Sequence, residues 1–300
     1  DLDLNGTRRH AIAQAGKTGF VYILDRVTGK PLLGIEEKPV PQEPRQKTAA
    51  TQPYPIGDAF VPQEIDVAPE GLKLVNKGRI FTPFWTEAIP IKPAPIGGTG
   101  WPPSSFDPGA NRMFICSVDK LQGFAGGDRD NGPWVAGQNF TGGAFTQLGF
   151  PTFGIFTAMD LTTNRIVWQQ RWKEMCYSGS AVTAAGLVFV GRGDGRMTAL
   201  DAKDGKLLWE FQTGAGVNAP PTVFEHEGRE YVVVLSAGNL FARSPKGDSL
   251  WLFALDGKME QAAPPGTQAA APAAPPPESH AGAEVDPRIL FIKTCGGWHG

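Results

Sequence analysis

Two stretches of this 300-residue chain repeat one pattern, and that pattern decides the fold. Residues 158–168 read Ala-Met-Asp-Leu-Thr-Thr-Asn-Arg-Ile-Val-Trp, and residues 199–209 read Ala-Leu-Asp-Ala-Lys-Asp-Gly-Lys-Leu-Leu-Trp. The alanine, the aspartate and the tryptophan of the first stretch each recur 41 positions later. This spacing matches the length of one four-stranded β-propeller blade, about 40–45 residues. A generic hairpin with a chance tryptophan is the simpler alternative, but agreement at three positions with one spacing favours the blade.

Each part of the repeat has a physical reason. A strand ends at the aspartate, whose side chain can accept hydrogen bonds from the backbone of the following turn. Glycine or asparagine then supplies the positive φ that such a turn requires. The next strand ends on tryptophan, which is large enough to dock between neighbouring blades. A weaker copy lies at residues 23–30, and a truncated copy lies at residues 254–258.

The composition agrees with a turn-rich β protein. The chain holds 38 glycines and 27 prolines, which would repeatedly break the helices of a bundle or coiled coil. Because 41% of its residues are hydrophobic, it can still bury a core. Apolar runs predict strands at 20–24, 113–117, 186–190, 231–235 and 250–255. We therefore expect an all-β fold.

The charge balance, the hydropathy and the cysteines exclude some classes of function. The net charge is −2 and no run of Lys or Arg matches a phosphate backbone, so nucleic-acid binding is not expected. No stretch reaches 18 apolar residues, so no transmembrane segment is predicted. The start at Asp1 lacks a basic and apolar leader, so we expect any signal peptide to be gone. Three distant cysteines give no disulfide framework, and Cys116 and Cys176 are expected to be buried rather than reactive.

The composition changes sharply near residue 259. Residues 259–284 are mostly Ala, Pro, Gly and Gln, and with little to bury they predict an extended, disordered linker. Residues 285–300 carry apolar side chains at helical spacing, at Ile289, Phe291 and Ile292. The predicted organisation is a propeller region at 1–258, a Pro/Ala-rich linker at 259–284 and a short helical segment at 285–300.

Four stretches of the propeller region carry a family signature. They are Gly-Phe-Val-Tyr-Ile-Leu-Asp-Arg-Val-Thr-Gly at 19–29, Gly-Gly-Thr-Gly-Trp-Pro-Pro-Ser-Ser-Phe at 97–106, Gly-Leu-Val-Phe-Val-Gly at 186–191 with Asp-Gly-Arg at 194–196, and Ser-Ala-Gly-Asn at 236–239 before Gly-Asp-Ser-Leu-Trp at 247–251. Together they resemble the alcohol dehydrogenases that depend on pyrroloquinoline quinone (PQQ). The resemblance covers nearly all of residues 5–258. It implies an eight-bladed β-propeller with PQQ and a Ca²⁺ or lanthanide ion on its axis, and this chain resembles its C-terminal half, about four blades.

The resemblance lends roles to five residues. Lys17 matches the basic residue that reaches the quinone oxygens of PQQ, where a cation would stabilise the negative charge that develops as hydride arrives. A solvated surface lysine is the alternative. Trp101 falls in a stretch that lines the cofactor pocket in relatives, with a core or blade-docking tryptophan as the alternative. Ala237, Gly238 and Asn239 resemble a loop that approaches PQQ, because small residues let a backbone come close to a flat ring. The alternative for these three is an ordinary turn.

Other positions depart from the family pattern. Gly100 stands where relatives commonly carry an asparagine that hydrogen-bonds the quinone. In relatives the catalytic Asp, the metal-binding Glu and Asn, the Trp that stacks on PQQ and a pair of adjacent cysteines all precede the matched region. Asp1 and Asp3 do not sit in the catalytic motif. The resemblance therefore implies no metal ligand and no general base in this chain, which alone is expected to be inactive.

The last residues resemble the beginning of a c-type cytochrome domain. Cys295-Gly-Gly-Trp-His follows a short apolar segment, similar to the Cys-x-x-Cys-His motif that holds haem by two thioethers and an axial histidine. Trp298 stands in place of the second cysteine. Cys295 and His299 are the candidate haem c ligands, and an interrupted or misread motif is the alternative.

Two functions follow as hypotheses. The first is part of a periplasmic PQQ-dependent alcohol dehydrogenase, which would oxidise an alcohol to an aldehyde or ketone by hydride transfer to PQQ and pass the electrons to a cytochrome c. The second is a non-catalytic PQQ-repeat propeller that acts as a binding scaffold. Gly100 and Trp298 favour the second.

Overall fold

The computed structural model describes residues 1–126, 135–137 and 144–266. The chain divides into two compact units, Asp1–Thr267 and Gln268–Gly300, and the described residues all lie in the first. The predicted helical segment at 285–300 and most of the predicted linker therefore lie outside the described residues. Within the described ranges, no helix has the length and apolar character needed to cross a membrane.

The described part of the chain is almost entirely β-structure, with one short 3-10 turn at Asn76–Gly78. Its strands are β1 Leu2–Leu4, β2 Thr7–Arg9, β3 Ala11–Ala15, β4 Val21–Asp25, β5 Ile35–Pro39, β6 Thr51–Pro55, β7 Ile89–Ile91, β8 Ser105–Asp107, β9 Arg112–Asp119, β10 Gln122–Ala125, β11 Ala144–Thr146, β12 Phe153–Asp160, β13 Arg165–Trp172, β14 Ser180–Val182, β15 Leu187–Gly191, β16 Arg196–Asp201, β17 Leu207–Gln212, β18 Thr222–His226, β19 Arg229–Ser236 and β20 Ser249–Phe253. The five predicted apolar runs fall in β4, β9, β15, β19 and β20.

The strands pair in antiparallel sheets whose members are close in sequence. β8, β9, β12 and β13 form one four-stranded sheet, and β14 to β17 form the next. β18 to β20 form a three-stranded sheet, while β3 pairs with β4, β1 with β2 and β5 with β6. The connection from β9 to β12 carries β10 and β11, which join β7 in a separate sheet. Four-stranded sheets repeated along the chain are the blades of a β-propeller, so the predicted all-β propeller class is confirmed.

Three apolar layers lie between successive sheets. The first packs β4 against β9 and β12, the second packs β9 and β12 against β15 and β16, and the third packs β15 and β16 against β19. Alternation along each strand sends neighbours to different layers, so Ile115 lies in the first layer and Phe114 in the second. Each of these middle sheets therefore buries both faces, as propeller blades do.

The hairpin turns of the repeat have the predicted chemistry. The Oδ1 atom of Asp160 accepts a hydrogen bond from the Thr162 amide at 2.7 Å. Asp201 accepts one from the Lys203 amide at the same distance. The positive φ comes from Asn164 in the first turn (53°) and from Gly205 in the second (77°). Both copies thus close the same kind of turn with different residues at the strained position.

The repeat tryptophans dock between blades, as predicted. The indole Nε1 of Trp168 donates to the Ala202 carbonyl of the next sheet at 3.1 Å. Its ring covers Gly205, where a Cβ atom would come within 2.7 Å of the ring. Trp209 meets Phe253 of the following sheet edge-on, with ring centroids 5.2 Å apart. Gly205 therefore serves both the positive φ of its own turn and the close approach of the neighbouring tryptophan.

The prediction of no disulfide is wrong, although Cys116 and Cys176 are buried as expected. They form a disulfide between β9 and the connection from β13 to β14. The two residues are 60 positions apart, and their Cα atoms come within 5.2 Å because the connection folds back across the sheet. Spacing along the chain gave no sign of this contact, which only the packing of β9 against the next blade creates.

Reducing this disulfide should lower the free energy of unfolding by about 2–4 kcal/mol, because it closes a long loop in the unfolded chain. Thermal unfolding with and without reductant measures the effect. A Cys116→Ala/Cys176→Ala double variant is the control, and reductant should not change its unfolding temperature. Equal unfolding temperatures for the oxidised and reduced wild-type protein would contradict the assignment.

Asp58 joins the segment after β6 to the beginning of β13. Its carboxylate accepts hydrogen bonds from Arg165 Nη1 at 2.7 Å and from the Ile166 amide at 2.9 Å. Its own amide donates to the Asn164 carbonyl at 2.9 Å. Partial burial disfavours the charged form, but the Ile166 amide and the Arg165 guanidinium outweigh it and lower the pKa of Asp58. The carboxylate thus stabilises the fold in its ionised state.

We expect Asp58→Asn to lower the free energy of unfolding at pH 7 by at most about 1 kcal/mol, since the pair is partly exposed. A lowered pKa contributes stability above the ordinary aspartate pKa of about 3.9, and that contribution disappears as the pH falls through the folded-state pKa. The difference in unfolding temperature between wild type and variant should therefore shrink between pH 7 and pH 3. A constant difference across that range would contradict the role of the charge.

The start of the predicted linker lies on a blade. The Ala262 amide donates to the Gln212 carbonyl at 2.9 Å, and the Gln212 amide donates to Gln261 Oε1 at 3.0 Å. The compact unit accordingly extends past residue 258, the predicted end of the propeller region. The edge of β17 offers unpaired backbone groups, which explains why a polar, proline-rich segment attaches there. The prediction of a disordered linker is thus wrong for residues 259–266.

Candidate functional site

Lys17 lies in the turn between β3 and β4, with its side chain exposed. This turn packs against the loop at 97–101, because the Thr99 amide donates to the Gly16 carbonyl at 3.3 Å. The carbonyl oxygen of Lys17 lies 2.7 Å from where a Cβ atom of Gly98 would be. Two of the stretches that carry the family resemblance are therefore neighbours in space.

The contact extends to the side chain of Lys17. A Cβ atom at Gly100 would lie 3.4 Å from Lys17 Cε. The absence of a side chain at Gly100, the departure from the family pattern, thus leaves room beside the stem of this lysine. Any larger residue at position 100 would have to share the space with it.

Trp101 follows Gly100 and leads into an open cavity of about 330 Å³. The indole is 84% exposed, so the alternative of a core tryptophan is excluded. The cavity is lined by Trp101, Pro102, Pro103, Tyr177, Ser178, Asn218, Pro220, Asn239 and Phe241. All of these residues lie in connections between strands, and none carries a formal charge. Trp101 and Asn239, which the resemblance singled out separately, share this cavity.

The loop at 237–239 is shaped by contacts within the protein. Gly238 has a φ of 73°, and a Cβ atom there would collide with the Pro245 carbonyl. The Ala237 carbonyl accepts from the Gly247 amide at 3.1 Å. The Asn239 amide donates to Ser244 Oγ at 2.8 Å, and its Oδ1 atom accepts from two backbone amides of the same loop. Glycine is therefore required here because the connection from β19 to β20 folds tightly back on itself.

The structure thus gathers four of the five predicted propeller-site positions near one another. Lys17 lies beside Gly100, the neighbour of Trp101 in the chain, and Asn239 lines the same cavity as Trp101. Gly238 holds the turn that carries Asn239, and Ala237 lies farther back along the same loop. The candidate haem ligands Cys295 and His299 lie outside the described residues. In the described ranges, no group of three or more His, Cys, Asp or Glu residues could hold a metal ion.

Sequence reasoning missed three cavity residues, Tyr177, Asn218 and Phe241. Burial raises the pKa of the Tyr177 hydroxyl, which therefore stays protonated as a donor at neutral pH. The Nδ2 atom of Asn218 is buried and has no hydrogen-bond partner among the described residues, and the same holds for Thr99 Oγ1. The sequence offered one sign that Asn218 could line the site. Like Trp101, it follows a glycine-containing turn that connects two blades.

Three basic residues lie on or next to these loops. Lys120 follows β9, and its carbonyl accepts from the Ala94 amide at 3.1 Å. Burial, and then the nearby charge of Arg243, lower the pKa of Lys120. Arg243 belongs to the loop that bears Asn239, and Lys17 belongs to the turn beside Gly100.

Two family models match the chain. Residues 1–133 match the family described as "Glucose/ethanol/alcohol dehydrogenase, beta-propeller domain". Residues 152–276 match the family described as "Outer membrane protein assembly factor BamB". The first match contains Lys17 and Trp101, and the second contains Asn218 and Asn239.

Curated relatives extend the likeness over the chain. Quinohemoprotein alcohol dehydrogenase ADH IIB of Pseudomonas putida is 28% identical over 100% of this chain and 42% of its own length. The 1-butanol dehydrogenase (quinone) of Thauera butanivorans is 29% identical, over 83% of this chain and 41% of its own length. Quinoprotein alcohol dehydrogenase PedE of Pseudomonas putida is 28% identical, over 84% of this chain and 39% of its own length. The chain thus spans about two fifths of the length of these relatives.

Solved structures share the fold. The quinohemoprotein alcohol dehydrogenase from Comamonas testosteroni superposes with a TM-score of 0.65 at 23% identity, covering 88% of this chain and 38% of that one. A europium-containing methanol dehydrogenase superposes with a TM-score of 0.58 at 23% identity, covering 79% of this chain and 38% of that one. The propeller fold, the family models and the curated relatives agree. Together they make the chain similar to the PQQ-dependent quinoprotein and quinohemoprotein alcohol dehydrogenases.

Proposed function

We propose that this chain is part of a PQQ-dependent dehydrogenase that oxidises an alcohol to an aldehyde or ketone. The observation that carries the proposal is that the Lys17 turn packs against the Trp101 loop, and that Trp101 and Asn239 line one cavity. These three segments resemble the family in separate parts of the sequence. Their proximity is what a shared cofactor site requires, and a chance likeness of three stretches would not produce it.

The residues present fit PQQ, a flat quinone that carries three carboxylates. A flat, exposed indole forms one wall of the cavity, and the lining residues offer amide and hydroxyl donors. Two buried polar atoms on this face, Asn218 Nδ2 and Thr99 Oγ1, have no hydrogen-bond partner among the described residues. The cations around the loops, Lys17, Lys120 and Arg243, suit an anion. When bound, PQQ supplies the two-electron acceptor of the oxidation.

Lys17 would act electrostatically. Its stem lies beside Gly100, and its ammonium group would stabilise negative charge on the quinone oxygens of a bound PQQ. Trp101 would position the ring by apolar contact, and Asn239 would fix the loop at the opposite side of the cavity. These roles need no proton transfer from the described residues. The general base and the ligands of a Ca²⁺ or lanthanide ion are proposed to come from outside this chain, which alone would be inactive.

The remaining partners belong to the proposal as well. Electrons would pass to a cytochrome c, and Cys295 and His299 are the residues through which a haem c attached to this chain would be held. A periplasmic location is supported by the Cys116–Cys176 disulfide, since disulfides persist in oxidising compartments. The curated relatives that carry the words quinoprotein and quinohemoprotein support the alcohol as substrate class.

A second candidate is a non-catalytic propeller that acts as a binding scaffold. The observation in its favour is the match of residues 152–276 to the family described as an outer membrane protein assembly factor. The glycine at position 100, where relatives commonly carry an asparagine that hydrogen-bonds the quinone, also favours the scaffold. We prefer the dehydrogenase because the curated relatives that match the chain are alcohol dehydrogenases.

The two candidates are separated by an assay on the full gene product that contains these residues. The protein is mixed with PQQ and either Ca²⁺ or a lanthanide, and reduction of an artificial electron-accepting dye is followed with primary alcohols. We expect dye reduction that requires PQQ, metal and alcohol together. Absence of alcohol-dependent reduction in a folded protein that binds PQQ and metal would favour the scaffold.

A further inference from the structure

The sheet formed by β18, β19 and β20 has three strands, whereas the two sheets before it have four. In each four-stranded sheet, the aspartate of the repeat closes the third strand, and the chain returns as the fourth strand, β13 or β17. After β20 the same pattern begins again, as Ala-Leu-Asp-Gly-Lys at 254–258. The chain then leaves this sheet, because Gln261 and Ala262 bond Gln212 on the edge of β17. No described residue therefore takes the fourth position beside β20.

The outer edge of β20 carries none of the features that protect exposed strand edges. Natural sheets protect such edges with charged side chains, proline or a covering segment, because unpaired backbone groups attract other strands. The outer strand β13 carries Arg165 and Arg171, and β17 is covered by residues 261–262. The sequence of β20 is Ser-Leu-Trp-Leu-Phe at 249–253, and among the described residues only β19 pairs with it. This edge is therefore suited to pairing with a further strand.

One face of the same sheet is apolar and exposed. Trp251 packs into the layer shared with β15 and β16, whereas Leu250 and Leu252 lie on the opposite face and are 71% and 60% exposed. The pairing register places Phe224 and Tyr231 on that face as well, with their rings stacked at a centroid distance of 5.5 Å. The middle sheets bury such apolar side chains on both faces. The exposed face is thus built like the contact between two blades.

The partner of this sheet has to satisfy the edge and the face together. A second copy of the chain, paired through its own β20, would fill the edge but would leave Leu250 and Leu252 exposed in both copies. A segment that contributes one strand and continues into a further sheet satisfies both. The chain spans about two fifths of the length of its curated relatives, so a protein of their size contains enough additional chain for such a segment.

We propose that β20 pairs with a β-strand supplied by a part of the gene product outside residues 1–300, which becomes the fourth strand of this blade. The strand runs antiparallel to β20, as the fourth strands of the two preceding sheets do relative to their third strands. It is apolar on both faces, because one face continues the layer around Trp251 and the other continues the face of Leu252. The inference concerns the assembly of the propeller and goes beyond the proposed function, since it depends on no ligand.

Photo-crosslinking in the full gene product identifies the partner of β20. Leu252 is replaced by p-benzoylphenylalanine, the protein is irradiated, and the joined peptides are sequenced by mass spectrometry. We expect a cross-link within one polypeptide, to a segment outside residues 1–300. A cross-link between two copies, a cross-link to residues 268–300, or no product above the control would overturn the inference. The control carries the same group at Val27, a turn residue that is 79% exposed.

Hydrogen exchange of the wild-type full gene product provides an independent arm if the variant fails to fold. When both edges of β20 are paired, all amides of residues 250–253 should exchange at least about 100-fold more slowly than in the unfolded chain. With an open edge, alternate amides would exchange close to the unfolded rate, and that pattern would overturn the inference. Neither result bears on the proposed dehydrogenase function, which the dye-reduction assay tests separately.

Discussion

Replacing Lys17 with alanine should lower the turnover of the PQQ-loaded, full gene product by about 100- to 1,000-fold, the usual effect of removing one preorganised electrostatic contact from a transition state. The lysine stem lies beside Gly100, which directly precedes Trp101 in the same loop. Because the charge matters more as negative charge develops, the loss should fall mainly on kcat and only weakly on the KM for alcohol.

Two variants sharpen this prediction. Lys17→Arg keeps the positive charge and should retain more turnover than Lys17→Ala, although its fork-shaped group alters the geometry. Lys30→Ala removes an exposed lysine from the far end of the same hairpin and should leave turnover unchanged. Turnover of Lys17→Ala within threefold of wild type, measured with saturating PQQ, would remove the role assigned to this lysine.

Replacing Trp168 with alanine should lower the free energy of unfolding by about 3–5 kcal/mol, because the indole fills the space between two blades. Its ring lies 5.9 Å from the rings of Phe114 and Phe156, and its Nε1 atom donates to the Ala202 carbonyl. The variant leaves a cavity between the sheets and removes one of the two hydrogen bonds to the Ala202 carbonyl, which keeps the bond from Arg112 Nη1. Chemical denaturation followed by circular dichroism measures the loss.

Trp101→Ala is the matched control, since that indole is 84% exposed. It should change the free energy of unfolding by less than about 0.5 kcal/mol, as most exposed substitutions do. The two substitutions should thus differ in effect, since Trp168 packs between blades and Trp101 is an exposed residue that we propose to act in ligand binding. Equal destabilisation by both substitutions would contradict the assignment of Trp168 to blade docking.

The sequence predicted the fold well where contacts are local or periodic. The aspartate of each repeat bonds its own turn two residues away, and the tryptophan recurs with the blade, so both could be inferred from one spacing. The Cys116–Cys176 disulfide could not be inferred this way. It joins residues 60 positions apart that only the stacking of blades brings together.

The candidate site could be predicted only in part, because some of its contacts arise only in the folded chain. The family signature marked Lys17, Trp101 and Asn239, but only the folded chain shows that Gly100 leaves room for the lysine and that Asn239 faces Trp101. Gly238 was assigned to the approach of a flat ring, whereas its packing against the Pro245 carbonyl already requires glycine. Asn218 was missed because an unpaired buried amide is a property of three-dimensional packing.

The beginning of the linker was mispredicted because its composition conceals a specific contact. Alanine, proline and glutamine have little to bury, yet Gln261 and Ala262 need only backbone groups on the edge of β17 to attach. Hydrogen bonds to an open strand edge depend little on side-chain type, so composition carries no signal for them.

The central claim is that the loops bearing Lys17, Trp101 and Asn239 form one side of a PQQ site. Equilibrium dialysis of PQQ against the full gene product, followed by its absorbance, tests this most directly. The account predicts one PQQ retained per protein molecule, weaker retention by Lys17→Ala and Trp101→Ala, and unchanged retention by Gln52→Ala. A folded wild-type protein that retains no PQQ, with or without Ca²⁺ or a lanthanide, would contradict it.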